Sequence, residues 1–319
     1  MSRHGTPAPR ATLSPRITLL SGGVGGARLA SGLKHALPAG ALTVVVNTGD
    51  DLTWWGLRVC PDLDTVTYTL AGRNDDRRGW GLRDETFRAL EGLRQLGAES
   101  WFSLGDQDLA PHLFRTSGLA RGERLTEVTA RIADRLGAGA RILPMCDTPC
   151  ATWIDTASQG SMPFQEWLVR HRAEPRVRAV RSQNQAPATP EVIDALATAD
   201  AVLVAPSNPY VSLDPILSRP GVRDALRGRS VTAVSPLIGG RAVKGPLASM
   251  VPELQGLPPS NAALMHHLRD VVTQWVVHTG DDDTLPGVPV LRTHTWMRDA
   301  EERLCLARET LTFAGVAPP

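Results

Sequence analysis

The feature that most constrains this chain is a strand, a glycine-rich turn, a helix and a second strand within about thirty residues near its beginning. Ile17–Leu20 is a short apolar run of buried-strand length. Ser21-Gly22-Gly23-Val24-Gly25-Gly26 follows, then a helical pattern over Ala27–Leu37 that Pro38 stops, then the β-branched run Leu42–Val46. A βαβ unit of this kind implies a parallel sheet with a right-handed crossover. Further buried strands are predicted at Ala201–Ala205, Val231–Val234 and Trp275–His278. Helical spacing marks Asp84–Leu96, Thr126–Leu136 and Phe164–His171, with strands around Arg141–Met145 and Ala151–Asp155. The expected fold is α/β: one doubly wound, mostly parallel, Rossmann-like sheet. It would form a single domain over residues 16–319, with a largely helical insertion at about 73–190. Residues 1–15 lack the apolar run of a secretory signal and read as a disordered tail.

Charge and cysteine usage narrow the function classes. The net charge is +1, from 34 basic and 33 acidic residues, which is not the footprint of a nucleic-acid binder. No apolar run approaches the length of a membrane span. The cysteines Cys60, Cys146, Cys150 and Cys305 are too scattered for a disulfide framework and lack zinc-site spacing. Reduced thiols in a cytoplasmic protein are expected.

Three segments carry candidate chemistry. The glycine turn allows close backbone approach and positive φ, and a helix starting after it would aim free N–H groups at an anion such as a phosphate. No Gly-Lys-Ser/Thr follows, and Arg28 occupies the third glycine's place of the dinucleotide fingerprint. A tight turn for helix packing is the alternative use of the same glycines. Asn47-Thr48-Gly49-Asp50-Asp51 lies where the second strand should end, beyond which open α/β sheets bind ligands. Asp50 and Asp51 suit a divalent metal, a ribose hydroxyl or a helix cap. Asp62 and Asp64 follow within Cys60-Pro61-Asp62-Leu63-Asp64-Thr65, so four carboxylates fall within fifteen residues. Magnesium takes a few carboxylates and leaves room for substrate phosphates. Trp54, Trp55 and Trp80 are near these loops and could stack on a flat ring; Trp153, Trp167, Trp275 and Trp296 suit packing. Ser207-Asn208-Pro209 after the strand Ala201–Ala205 can present polar groups to a base or phosphate, and Lys244 is a candidate phosphate partner.

Taken together, these segments resemble the 2-phospho-L-lactate transferase family of the deazaflavin coenzyme F-420 pathway. The matching stretches run from Leu20–Arg28 through Val45–Asp51, Gly56–Thr65, Arg78-Gly79-Trp80-Gly81, Leu104–Asp108 and Phe164–Trp167 to Ala205–Pro209 and Ser235–Gly240. Their order and spacing span nearly the whole chain after residue 16. Where some family members have a lysine before Leu-Gly-Asp, this chain has Ser103.

The resemblance implies a reaction. A three-carbon phospho-acid (2-phospholactate, phosphoenolpyruvate or 3-phosphoglycerate) passes from its guanosine-diphosphate-linked donor to the 5′-hydroxyl of 7,8-didemethyl-8-hydroxy-5-deazariboflavin, releasing GMP. It implies magnesium and a homodimer, and no nucleic acid or membrane partner. Carried onto this chain, the donor and acceptor site comprises Gly22, Gly23, Gly25, Gly26, Asn47, Asp62, Asp64, Trp80, Ser207, Asn208 and Pro209. Asp50, Asp51 and Asp64 are the expected metal ligands. Asp64 and Asp50 are the expected catalytic pair, with Asp64 orienting or deprotonating the hydroxyl. Two other readings compete: a nicotinamide-dependent oxidoreductase in which Asp50 reads the ribose, and a non-catalytic deazaflavin or nucleotide carrier.

Overall fold

The computed structural model describes residues 14–281 and 284–317. Residues 1–13, most of the expected tail, lie outside them. Seven parallel strands form the central sheet: β1 (Ile17–Ser21), β2 (Leu42–Val46), β3 (Arg141–Pro144), β4 (Ala201–Val204), β5 (Val231–Val234), β6 (Gln274–His278) and β7 (Val290–Thr293). Their spatial order is 3-2-1-4-5-6-7. This is the doubly wound Rossmann order, and it reverses direction between β1 and β4. The expected fold class is therefore what the chain adopts.

Both faces of the sheet are buried. Ile17, Leu19, Val44, Val46 and Leu203 pack on one side with helix α1 (Gly23–Ala36) and helix Ala300–Phe313. Leu20, Val45, Val202 and Val204 pack on the other. That explains why these strands read as continuous apolar runs rather than alternating ones. Gly32 lets α1 cross helix Ala300–Phe313 closely, because a Cβ there would meet the Arg303 carbonyl at 2.0 Å.

The chain between β2 and helix α2 (Pro61–Leu70) makes a detour that matters for the site. It leaves β2 through Asn47–Asp51, then forms an antiparallel hairpin of Leu52–Trp54 with Leu57–Val59. The two-residue turn has Trp55 at φ 50° and Gly56 at φ 78°, the left-handed pair that hairpin twist favours. The chain thus returns to its starting point, and Pro61 opens α2 where no intrahelical N–H is needed.

Residues 73–190 hold three α-helices, α3 (Arg88–Gln95), α4 (Leu109–Ala120) and α5 (Leu125–Leu136), and a π-helical turn at Glu166–Arg170. They also supply β3 and an antiparallel sheet of Thr152–Thr156, Ser161–Pro163 and Val177–Ser182. No helix among the described residues is long and apolar enough to cross a membrane.

Candidate functional site

The carboxyl ends of β1, β2, β4 and β5 open into one cleft of about 740 Å³. It lies at the switch point, where the strand order leaves a crevice for a ligand. Gly23, Val24 and Gly25 form one edge, Asp50, Asp62 and Asp64 part of the floor, and Ser207 and Asn208 another edge. Trp80, Phe102, Phe164 and Trp296 supply aromatic surface.

The glycine turn differs from its expected form. Helix α1 begins at Gly23, not Ala27, so the glycines after Gly22 form its first turn. None of the four has positive φ; Gly22 sits at φ −113° and ψ −178°, ordinary extended backbone. Close approach is what they provide. A Cβ would lie 2.4 Å from Ser212 Cβ at Gly22, 2.4 Å from the Pro206 carbonyl at Gly25 and 2.1 Å from Ser21 Oγ at Gly26. Gly22 and Gly25 therefore let the helix start press against the chain that follows β4, and Gly26 lets it pack on Ser21 at the end of β1. Ser207 Oγ adds to this contact by accepting from Gly22 N–H at 3.1 Å. Gly22 and Gly26 support the site from behind, while Gly23 and Gly25 face the cleft.

The four expected acids separate into two sets. Asn47, buried at the end of β2, donates its side-chain amide to Asp50 Oδ1 at 2.8 Å and to Asp62 Oδ2 at 2.9 Å. Gln165 reaches the other Asp50 oxygen at 3.3 Å. Asp62 also lies against the helix start, where the Gly23 N–H stabilises its charged form. Burial is the main cause that raises the pKa of Asp50 and of Asp62, and Asp62 raises Asp50 further. Neither makes an ion pair among the described residues. Two buried acids sharing one neutral amide and lacking a cation form a donor set that fits magnesium.

Asp51 and Asp64 each already hold an arginine partner. Asp51 turns away from the cleft and pairs with Arg58 at 2.9 Å, while the Cys60 thiol donates to the same oxygen at 3.0 Å. Burial pushes it up to about 7 against both partners. Asp64 reaches the cleft but is gripped by the buried Arg115 of α4, through Nη2 to Oδ1 and through Nη1 to Oδ2 at 3.2 Å. His112 lies 3.6 Å from the same carboxylate. Burial lowers His112 to about 4, so its ring is neutral near pH 7. Arg115 can only donate, so His112 Nδ1 accepts at 3.2 Å and the ring proton sits on Nε2. Of the expected ligands Asp50, Asp51 and Asp64, the last two are already neutralised by arginines, which leaves Asp50 and its neighbour Asp62 as the two of the four acids without an ion pair among the described residues.

Other expected residues also find their places. Trp80 lines the cleft, with the Arg78 guanidinium 5.2 Å from its ring centroid. Trp54 instead packs on Trp101 beneath the hairpin. Asn208 caps the following turn through Tyr210 N–H at 3.0 Å, and Pro209 is buried behind it, outside the cleft lining. Ser207 and Asn208 line the cleft.

Arg28 was not singled out as a site residue from the sequence. Arg28 shares a face of α1 with Val24, one turn earlier, and that spacing was the available signal. Arg28 and Lys244 both line the cleft, and neither forms an ion pair among the described residues; Lys244 donates to the Gly79 carbonyl at 3.1 Å. Burial and neighbouring cations lower both: Arg303 acts on Arg28, and Arg28 on Lys244. Asp76 offsets only part of this on Arg28, and two adjacent cations that form no ion pair among the described residues suit a polyanionic ligand. Trp296 also faces the cleft rather than a core.

The family description 2-phospho-L-lactate transferase CofD matches residues 17–302. The chain belongs to that family. It is a phosphoacid transferase of coenzyme F-420 biosynthesis. Phosphoenolpyruvate transferase of Thermobifida fusca (strain YX) is 40% identical over 314 residues, covering 94% of this chain and 98% of that protein. Phosphoenolpyruvate transferase of Nocardia farcinica (strain IFM 10152) is also 40% identical, covering 98% of each. Among solved structures, protein BH3568 of Bacillus halodurans, of the UPF0052 family, aligns with a TM-score of 0.56 at 16% identity, covering 96% of this chain and 92% of that one. That likeness concerns the fold alone. The transferase family sets aside the nicotinamide oxidoreductase and the non-catalytic carrier.

Proposed function

We propose that this transferase moves a phosphoenolpyruvate-derived group from a guanosine-diphosphate-linked donor to the 5′-hydroxyl of 7,8-didemethyl-8-hydroxy-5-deazariboflavin, releasing GMP. The observation that carries the reading is the Asp50–Asp62 pair on Asn47, set under the start of α1 and across from Arg28 and Lys244. The choice of phosphoenolpyruvate is supported by the name carried by the curated relatives above.

Each part of the cleft has a task in this reaction. Free N–H groups at the start of α1, with Arg28 and Lys244, would hold the donor's diphosphate. Asp50 and Asp62 would hold magnesium. When bound, the ion would offset charge on the diphosphate and the departing GMP. Trp80, Phe102 and Trp296 would position the flat deazaflavin by stacking. In-line displacement at phosphorus needs such positioning and charge complementarity more than a covalent intermediate.

Mass spectrometry of products tests the reading. With magnesium, the deazaflavin alcohol and guanylylated phosphoenolpyruvate, equal amounts of GMP and a phosphodiester adduct should form. Absence of the adduct with every guanylylated three-carbon acid would refute it. The homodimer implied by the resemblance belongs to the same proposal; a single-chain mass in light scattering would count against it.

A further inference from the structure

Asp50, Asp62, Asp64 and Asp108 all line the cleft. Asp50 and Asp62 share the Asn47 amide, and Asp64 is clamped by Arg115. Asp108 pairs with no cation among the described residues. It is 5% exposed, and its Oδ1 is buried without a hydrogen-bond partner.

The chain holds this carboxylate on a rigid support. Glu85 accepts from Gln107 N–H at 2.8 Å and from Asp108 N–H at 3.2 Å. Asp106 reciprocates, accepting from Ala89 N–H at 2.9 Å and Arg88 N–H at 3.0 Å at the start of α3. Gly105 is needed in this crossing, since a Cβ would meet the Glu85 carboxyl at 2.0 Å. Gly81 lies beside Asp108 Oδ2, where a Cβ would sit 3.4 Å from that oxygen, in ordinary contact. The titratable groups acting on Asp108 are Asp64 and Tyr68 from α2 and Glu85 from the loop before α3, and His112 and Arg115 of α4 stand against Asp64. Burial, then the Asp64 charge, pushes the Asp108 carboxyl up to about 7, and the Tyr68 hydroxyl opposes the rise.

Burying a carboxylate that no cation neutralises, with one oxygen lacking a hydrogen-bond partner, costs stability, and such groups concentrate where chemistry requires them. We propose that Asp108, rather than Asp64, accepts the proton of the attacking hydroxyl. This rests on the transferase reading above. The hydroxyl oxygen forms a bond to the phosphorus that carries the acid. The bond from that phosphorus to the GMP oxygen breaks, its electron pair leaves with GMP, and the hydroxyl proton passes to Asp108. Asp64, held through both oxygens by Arg115, is then a positioning residue that keeps α2 and α4 in register around the cleft.

The test follows GMP release from about pH 5.5 to about pH 9, with magnesium, guanylylated phosphoenolpyruvate and the deazaflavin alcohol, and reads deazaflavin binding separately by fluorescence. The unaltered enzyme should speed up with rising pH through a midpoint near about 7 and then level off. Asp108→Asn should fall roughly 10²–10⁴-fold and lose the rise, with deazaflavin affinity within about threefold. Asp108→Glu should keep the rise with a displaced midpoint. An Asp108→Asn enzyme that keeps the rise overturns the proposal. If that variant fails to bind deazaflavin, Asp108→Glu decides: a displaced midpoint supports the assignment and an unchanged one overturns it. An unaltered enzyme that binds deazaflavin but releases no GMP refutes the transferase reading itself, a distinguishable failure.

Discussion

Asp62 and Asp64 lie two residues apart on α2, both about equally buried, yet they belong to different worlds. Asp62 faces the sheet, where it shares a neutral amide with Asp50 and meets the helix start. Asp64 faces α4, where Arg115 matches it with two hydrogen bonds. The first carboxylate has unmet demand for positive charge; the second has none. A helical step of two residues sends side chains to nearly opposite faces, so one short motif supplies both a carboxylate without a cation and one braced by arginine. Residue type alone does not assign a role; the partner does.

This contrast can be broken from the Arg115 side first. Arg115→Met leaves Asp64 buried and unpaired, and should cost about 3–5 kcal/mol in urea unfolding. Pairing it with Asp64→Leu should recover much of that loss; a single variant within about 1 kcal/mol of wild type would deny the brace. On the other side, Asp62→Asn should reduce turnover by about 10²–10³-fold while leaving urea stability at neutral pH unchanged or higher. Full activity in that variant would remove Asp62 from the site. Asn47→Ala keeps both acids but frees their orientation, and should weaken magnesium affinity by about 10–100-fold in calorimetry. An unchanged affinity would show that the shared amide is incidental.

The smallest effect concerns pH. Asp50 and Asp62 are raised when folded, so without metal they favour folding fully below their unfolded values near about 4. That contribution is lost as pH rises through the raised folded values. Metal-free protein should therefore lose Tm as pH rises from about 4 through the Asp62 value of about 6, and magnesium should restore more at the upper end. Asp50→Asn should flatten both trends. A magnesium shift that is the same at both ends would contradict the paired-acid account.

The sheet was readable because its strands are buried on both faces. Leu42–Val46 and Val231–Val234 have the predicted bounds, and β4 ends one residue earlier than expected. The edge strand β7, part-exposed along its length, lacks that apolar signal and was missed. Helix α1 was expected to start four residues late, since glycine disfavours helix locally and only the packing against Pro206 and Ser212 overrides it. Asp84–Leu96 was expected as one helix, but Asp84 has φ 56° and the helix waits until Arg88, where Asp106 caps it. The glycine turn, Asp50 and Asp62 could be placed near one another from local order alone. The partners that divide the acids could not: Arg115 lies 51 residues from Asp64, on a helix whose Pro111 hid it from the reading.

The central claim is that Asp50 and Asp62, not Asp51 or Asp64, seat the divalent ion beside the start of α1. Crystals grown with manganese and a guanosine diphosphate donor would test it through the anomalous signal. The account predicts one peak within bonding distance of both the Asp50 and Asp62 carboxylates, with the donor's phosphates against α1. A peak on Asp51 or Asp64, with Arg58 or Arg115 displaced, would contradict it.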